Sequence, residues 1–128
     1  MNLLLDTHTL LWATLAPLRL GKHAAARIKD PANSIYVSAA SAWEIATKVR
    51  LGKLRGAEVF EQEFLSDISK AGYTLLDITA AHALRAGRLS GDHRDPFDRI
   101  IAAQALAEDI PVLSIDTKLD SFGIHRIW

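Results

Sequence analysis

The stretch Leu3-Leu4-Leu5-Asp6-Thr7-His8-Thr9-Leu10-Leu11-Trp12 decides the fold of this chain. Three consecutive leucines bounded by an aspartate read as a short buried strand. A helix follows over Thr7 to Leu15, with Leu10, Leu11 and Leu15 on one side, and Pro17 ends it. Such a strand–helix step, repeated along a chain, builds βαβ units and a mainly parallel sheet with right-handed crossovers.

The step does repeat. Gly21 to Lys29 reads as an Ala-rich helix closed by Asp30-Pro31, and Ser34 to Val37 has strand character. Ser38 to Leu51 is the clearest helix: Ser38 or Ser41 caps it, Ala39, Ala42, Trp43, Ala46 and Val49 or Arg50 recur at helical spacing, and Gly52 stops it. Val59 to Lys70 reads as one amphipathic helix, Tyr73 to Ile78 as a strand, and Thr79 as the cap of a helix running to about Leu89. After a polar loop over Ser90 to Arg94, Asp95-Pro96 has the form of an N-cap followed by proline in the first helical position. That helix extends to about Glu108 and is apolar almost all round, so it is expected to be buried. Pro111 to Ile115 reads as a strand ending in Asp116, and Ile124 to Trp128 as an edge strand. No repeat, linker or low-complexity segment interrupts the pattern. The expectation is one α/β domain over residues 1–128, in three layers, with a central mainly parallel sheet of four to five strands flanked by helices.

A chain of 128 residues buries roughly two-thirds of its unfolded surface and needs no staple. The absence of cysteine excludes a disulfide framework, a thiolate metal site and a cysteine nucleophile, and suits a reducing compartment. The first apolar run is too short for a signal peptide and lacks a basic flank, and no stretch approaches the ~20 apolar residues of a membrane span. The expected location is the cytoplasm. Fifteen basic and fifteen acidic residues give zero net charge, so composition casts no vote for a nucleic-acid partner.

In a parallel sheet every strand ends at one edge, where the intervening helices begin and ligands bind. Asp6 and Asp116 follow the first and fourth strands, and Asp98 lies in the first turn of the buried helix. Glu44 lies about six residues into its own, roughly 9 Å from the start at 1.5 Å per residue, with a side chain that leans back toward the N-terminus. All four acids therefore reach one rim. Clustered carboxylates repel, and so either protonate in part or recruit a cation. A hard divalent ion with oxygen ligands, Mg²⁺ or in its place Mn²⁺, fits such a set and leaves room for a phosphate. Singly, each acid has a plainer reading: Asp6 and Asp116 as turn or cap residues, Asp98 as a complement to the helix dipole, Glu44 as the i,i+4 partner of Lys48. Their joint placement points to a metal site.

Around the acids, Asp95, His93, Arg99, Thr7 and Lys48 are candidates for supporting or substrate contacts. Asp95 reads first as the N-cap, and His93 as a loop residue that orients the loop or touches phosphate. His8, His23, His82 and His125 show no zinc-like spacing. The basic run Lys48, Arg50, Lys53 and Arg55 reads as a solvated face that is open to RNA phosphates.

The segments LLLDTHTLLW around Asp6, SAASAWEIATKVRLGKL around Glu44, HRDPFDRIIAAQAL around Asp98 and PVLSIDTKLDSF around Asp116 resemble the PIN-domain family, and within it the VapC toxins of bacterial toxin–antitoxin pairs. The resemblance spans nearly the whole chain. It implies an Mg²⁺- or Mn²⁺-dependent endoribonuclease, restrained by a cognate antitoxin and often a homodimer, with Asp6, Glu44, Asp98 and Asp116 forming the metal site. Asp98 is chosen over Asp95 because the acid followed by Arg-Ile-Ile-Ala-Ala matches the family's small-apolar helix. The antitoxin would need an apolar groove, for which Trp12, Val49, Leu51 and Leu54 are candidates. An aspartyl phosphatase also places an acid after its first strand, but it needs a second Asp where His8 stands. The alternative is a PIN-like module that binds RNA or protein without cutting it.

Overall fold

The computed structural model describes residues 1–128. Five strands form one all-parallel sheet: β1 (Asn2–Leu5), β2 (Ser34–Ser38), β3 (Thr74–Leu76), β4 (Val112–Leu113) and β5 (Arg126–Ile127), in the order β3-β2-β1-β4-β5. Leu4 and Leu5 pair with Tyr36 and Val37 on one side and with Val112 and Leu113 on the other, so β1 is the central strand. This is why residues 3–5 carry no polar alternation: both faces are covered.

Seven α-helices cover those faces: α1 (Thr7–Leu15), α2 (Lys22–Lys29), α3 (Ala39–Arg50), α4 (Glu58–Gln62), α5 (Phe64–Lys70), α6 (Ala80–Arg88) and α7 (Pro96–Glu108). Because side chains alternate along a strand, Leu3, Leu5, Ile35 and Val37 face one core with Leu10, Ala24, Ile45, Phe60, Phe64 and Ile68. Leu4 and Val112 face a second core with Ala40, Ile101, Ala102, Ala105, Leu119 and Phe122. These two cores make the three layers. α7 is buried along Ile101–Ala105, as its composition requires. No helix is long and apolar enough to cross a membrane.

Several boundaries differ from those read in the sequence. The expected helix over Val59 to Lys70 is two, broken at Glu63 (φ −98°, ψ 16°); the break lets both Phe60 and Phe64 enter the first core, with ring centroids 5.5 Å apart. β3, β4 and β5 are shorter than expected, whereas β1 begins and β2 ends one residue further out. Ser114 and Ile115 leave the ladder on the β1 side, so Asp116 stands three residues beyond the strand rather than directly after it. It caps a 3-10 helix, Thr117–Phe122, that the sequence reading missed. Ser38, not Ser41, caps α3 by accepting the Ala40 amide. Ser41 faces α1 instead.

Candidate active site

The strand order reverses between β1 and β4, since the chain winds outward through β2 and β3 and then returns to the far side of β1. Such a switch point opens a crevice at the carboxyl ends of the two strands. Asp6 ends β1 there, and Ser114 and Asp116 follow β4. The Ser114 hydroxyl donates to Asp6 Oδ2 and accepts the Asp116 amide at 3.0 Å. Asp6 Oδ1 accepts the Thr9 amide at 2.7 Å, which caps α1, and Thr9 Oγ1 donates to the Leu113 carbonyl at 2.8 Å. Asp6 is 4% exposed, and with Asp116 it lines a surface pocket of about 330 Å³ shared with His8, Trp12 and Ile115. Asp116 Oδ1 caps the 3-10 helix through the Lys118 amide. The cap readings of both aspartates therefore hold, and each cap uses one carboxylate oxygen.

The other two acids come from α3 and α7. Trp43 packs edge-on against Phe97 at 4.7 Å between centroids, which brings Glu44 and Asp98, the next residue on each helix, onto adjoining turns. Glu44 is 3% exposed; its Oε2 accepts from Lys48, while Oε1 is buried without a partner. Asp98 Oδ2 accepts from His93 Nε2 at 2.8 Å. Burial pushes the Asp98 carboxyl up to about 6; the His93 hydrogen bond opposes this, and the charges of Asp95 and Glu44 add to it. Asp95 Oδ1 accepts the Phe97 and Asp98 amides at 2.9 and 3.2 Å, the geometry of an N-cap. A hydrogen bond of 2.9 Å between Thr7 Oγ1 and Ser41 Oγ fastens the start of α1 to α3, and so joins the two halves of the site.

The four acids thus share one sheet edge in two groups, Asp6 with Asp116 and Glu44 with Asp98. No three His, Asp or Glu side chains stand close enough together to hold an ion. The donor set is nonetheless all hard oxygen, and the orphaned Glu44 Oε1 is a buried acceptor that a cation would satisfy. On chemistry, therefore, the residues fit a divalent metal.

The remaining candidates sort by geometry. Lys48 neutralises Glu44. Arg99 donates to three backbone carbonyls, those of Ala86, Leu89 and His93, and is part of the scaffold that carries His93. Arg50, Lys53 and Arg55 are exposed but lie at or beyond the far end of α3, about 18 Å from its start at 1.5 Å per residue. Of the four groove candidates, Val49 and Leu54 pack on the first core and Trp12 packs against Trp128; only Leu51 is half exposed. Ser114 went unnoticed in the sequence, since a lone serine offers no periodic signal by which to find it, and Ser41, read there as a possible cap, holds Thr7 instead.

The PIN domain family matches residues 3–124. Ribonuclease VapC16 of Mycobacterium tuberculosis (strain ATCC 25618 / H37Rv) is 42% identical over 55 residues, 43% of this chain, and the match spans only 39% of that relative's length. VapBC2 from Rickettsia felis, solved bound to a DNA fragment from its promoter, superimposes with a TM-score of 0.72 at 17% identity, covering 100% of this chain and 99% of that one. VapBC-1 from nontypeable Haemophilus influenzae gives 0.69 at 17% identity, covering 99% and 97%. At these identities the two structures speak for the fold, the same parallel sheet between helices. The family match over nearly the whole length agrees with them, and the chain belongs to the PIN-domain family.

Proposed function

We propose that this chain is a metal-dependent endoribonuclease of the VapC toxin class. The observation that carries the reading is Glu44: a buried carboxylate with one oxygen unpartnered, beside Asp98, whose proton affinity is raised in part by that charge. Acids held this way gain from a cation. Asp6, Asp98 and Asp116 would hold Mg²⁺, or Mn²⁺ in its place, directly or through water, and Glu44 would bind a further ion or orient the attacking water. An ion of this kind supplies Lewis acidity at the phosphate and lowers the pKa of water.

The chain's own residues do the rest. Ser114 fixes the Asp6 carboxylate, His93 fixes Asp98, and Lys48 neutralises Glu44 when no ion does. Water adds across the phosphodiester and breaks the bond to the 3′ oxygen, leaving a 5′-phosphate and a 3′-hydroxyl. This chemistry does not use the RNA 2′-hydroxyl. From the family resemblance and the VapBC neighbours, the protein partner is a cognate antitoxin, the assembly a homodimer and the compartment the cytoplasm.

One observation favours a second reading. The acids stand in two groups rather than one ready cluster, as suits a PIN-like module that binds RNA or protein without cutting. Purified protein freed of any antitoxin separates the two. The ribonuclease cleaves structured RNA with Mg²⁺, stops with EDTA, and is silenced by Asp6→Asn or Asp98→Asn. Cleavage that survives both substitutions ends the four-acid reading, and RNA retention without new 5′ ends establishes the module.

A further inference from the structure

The segment from Leu89 to Asp95 joins α6 to α7 without regular structure, and Gly91 in it takes φ +107°. A surface connection of this kind is ordinarily mobile. Here it is held from two sides. The Arg99 guanidinium, in the first turn of α7, donates from Nε to Ala86 O at 3.0 Å, from Nη1 to His93 O at 2.9 Å and from Nη2 to Leu89 O. The Ala86 carbonyl belongs to the last turn of α6, where helical carbonyls lack intrahelical donors. From the other side the Phe122 ring, at the end of the 3-10 helix, lies 5.7 Å from Arg99 Cζ and 5.4 Å from the His93 ring. His93 therefore has its carbonyl fixed by Arg99 and its ring seated against Phe122, and its Nε2 meets Asp98 Oδ2 at 2.8 Å.

A guanidinium has five N–H groups in a rigid fork. Three are committed to backbone carbonyls of the loop and of α6, and no carboxylate pairs with Arg99. A phosphate ligand would present its fork to solvent. We infer that Arg99 is a positioning residue: it shapes the loop so that His93 holds one oxygen of Asp98 and leaves the other to an ion. The inference rests on the metal-dependent reading above. Lysine cannot replace Arg99, because one ammonium on a flexible stem cannot span three carbonyls.

The test uses the full chain with Arg99→Ala, Arg99→Lys and, as a change confined to the loop, His93→Ala. Thermal melts establish which variants fold. In metal-free protein at fixed pH, the His93 ring nitrogen resonance is expected to leave its hydrogen-bonded position in both Arg99 variants. Mn²⁺ affinity by calorimetry is expected to fall 10–100-fold in all three, the usual effect of losing an outer partner of a metal ligand. On RNA with Mg²⁺, kcat should fall over the same range with KM within about twofold, since the site loses its alignment and not its substrate contacts.

A folded Arg99 variant whose His93 resonance and Mn²⁺ affinity match wild type overturns the proposal. So does a rise in KM alone, which marks a phosphate ligand. If Arg99→Ala fails to fold, Arg99→Lys and His93→Ala decide. A wild-type chain that binds Mn²⁺ but cuts no RNA ends the ribonuclease reading, and the His93 and Mn²⁺ measurements still judge the loop.

Discussion

Ser114 and Asp6, 108 positions apart in sequence, are joined by a hydrogen bond from the serine hydroxyl to Asp6 Oδ2. The hydroxyl also accepts the Asp116 amide, so one oxygen ties together the two acids at the switch point. Ser114 is itself held, its amide on Ile127 O at 3.0 Å and its carbonyl on Arg126 Nη1 at 3.2 Å. Ser114→Ala removes the donor to a buried carboxylate. It should lower stability by about 1–2 kcal/mol and cleavage by roughly 10–100-fold, mostly in kcat. Melting curves and steady-state kinetics on the same preparation check both effects. Wild-type kcat in the variant would show that Asp6 needs no help to keep its orientation.

Asp98 offers a trade between stability and activity. In the folded chain its carboxyl holds a proton up to about pH 6; in the unfolded chain it releases it near 4. Between those values the folded state binds more protons than the unfolded state. Stability from this group is therefore fully present below about pH 4 and falls as pH rises through 6. Its side chain is 20% exposed, so the cost at pH 7 is discounted to about 1–2 kcal/mol. Asp98→Asn should raise the neutral-pH melting temperature by a few degrees, flatten the profile between pH 4 and 6, and abolish cleavage. An unchanged slope across that range would show that Asp98 ionises freely in the fold.

Lys48 and Glu44 respond to metal in a way that neither residue would alone. The pair leaves Glu44 Oε1 unpartnered, so Lys48 is the only hydrogen-bond partner recorded for a buried carboxylate. Lys48→Met strands that charge. Because the ammonium is one-third exposed, the expected loss in EDTA is about 1–2 kcal/mol rather than the 3–5 of a fully buried pair. Millimolar Mg²⁺ should restore most of the lost melting temperature, since an ion at Glu44 takes over the neutralisation. A deficit of equal size with and without Mg²⁺ would place the ion away from Glu44.

What the sequence made legible follows from physical range. Leu3 to Leu5 could be read as a strand because burial on both faces removes polar alternation, a signal contained in three residues. The strand order could not, since it depends on Leu4 and Leu5 pairing with Val112 and Leu113 across most of the chain. The break at Glu63 was hidden because Val59 to Lys70 keep one amphipathic pattern through it, and only the backbone angles there depart from a helix. That four acids come to one sheet edge could be read from Asp6 and Asp116 after strands, Asp98 in the first turn of its helix and the long side chain of Glu44 further along its own. The division of the acids into two groups could not, because it follows from which helices adjoin, as Trp43 on Phe97 shows. Arg99 reads in the sequence as either a supporting or a substrate contact; that its fork turns to carbonyls of the preceding loop is a property of the loop's path.

Gln104 tests how far the site depends on the core beneath it. It is fully buried in α7, accepts from Ser38 Oγ at 2.6 Å, and donates to the carbonyls of Asp77 and Leu76 at 3.2 and 3.4 Å. One amide thus ties the end of β2, the end of β3 and the helix that carries Asp98. Ser38 is also the cap of α3, so the same amide steadies the helix that carries Glu44. Gln104→Met keeps the volume but leaves the buried Ser38 hydroxyl with no acceptor for its proton and takes the side-chain donor from two carbonyls. At about 1–3 kcal/mol for each group left unsatisfied, partly relieved by relaxation, the expected loss is about 2–4 kcal/mol. Denaturant midpoints should fall with an unchanged m value, as for a fold weakened but not loosened. Below the melting transition, cleavage should drop less than tenfold, because the acids lose rigidity and not their identity. A drop of a hundredfold or more in a folded variant would mean that the amide sets the spacing of α3 and α7 and not merely their stability.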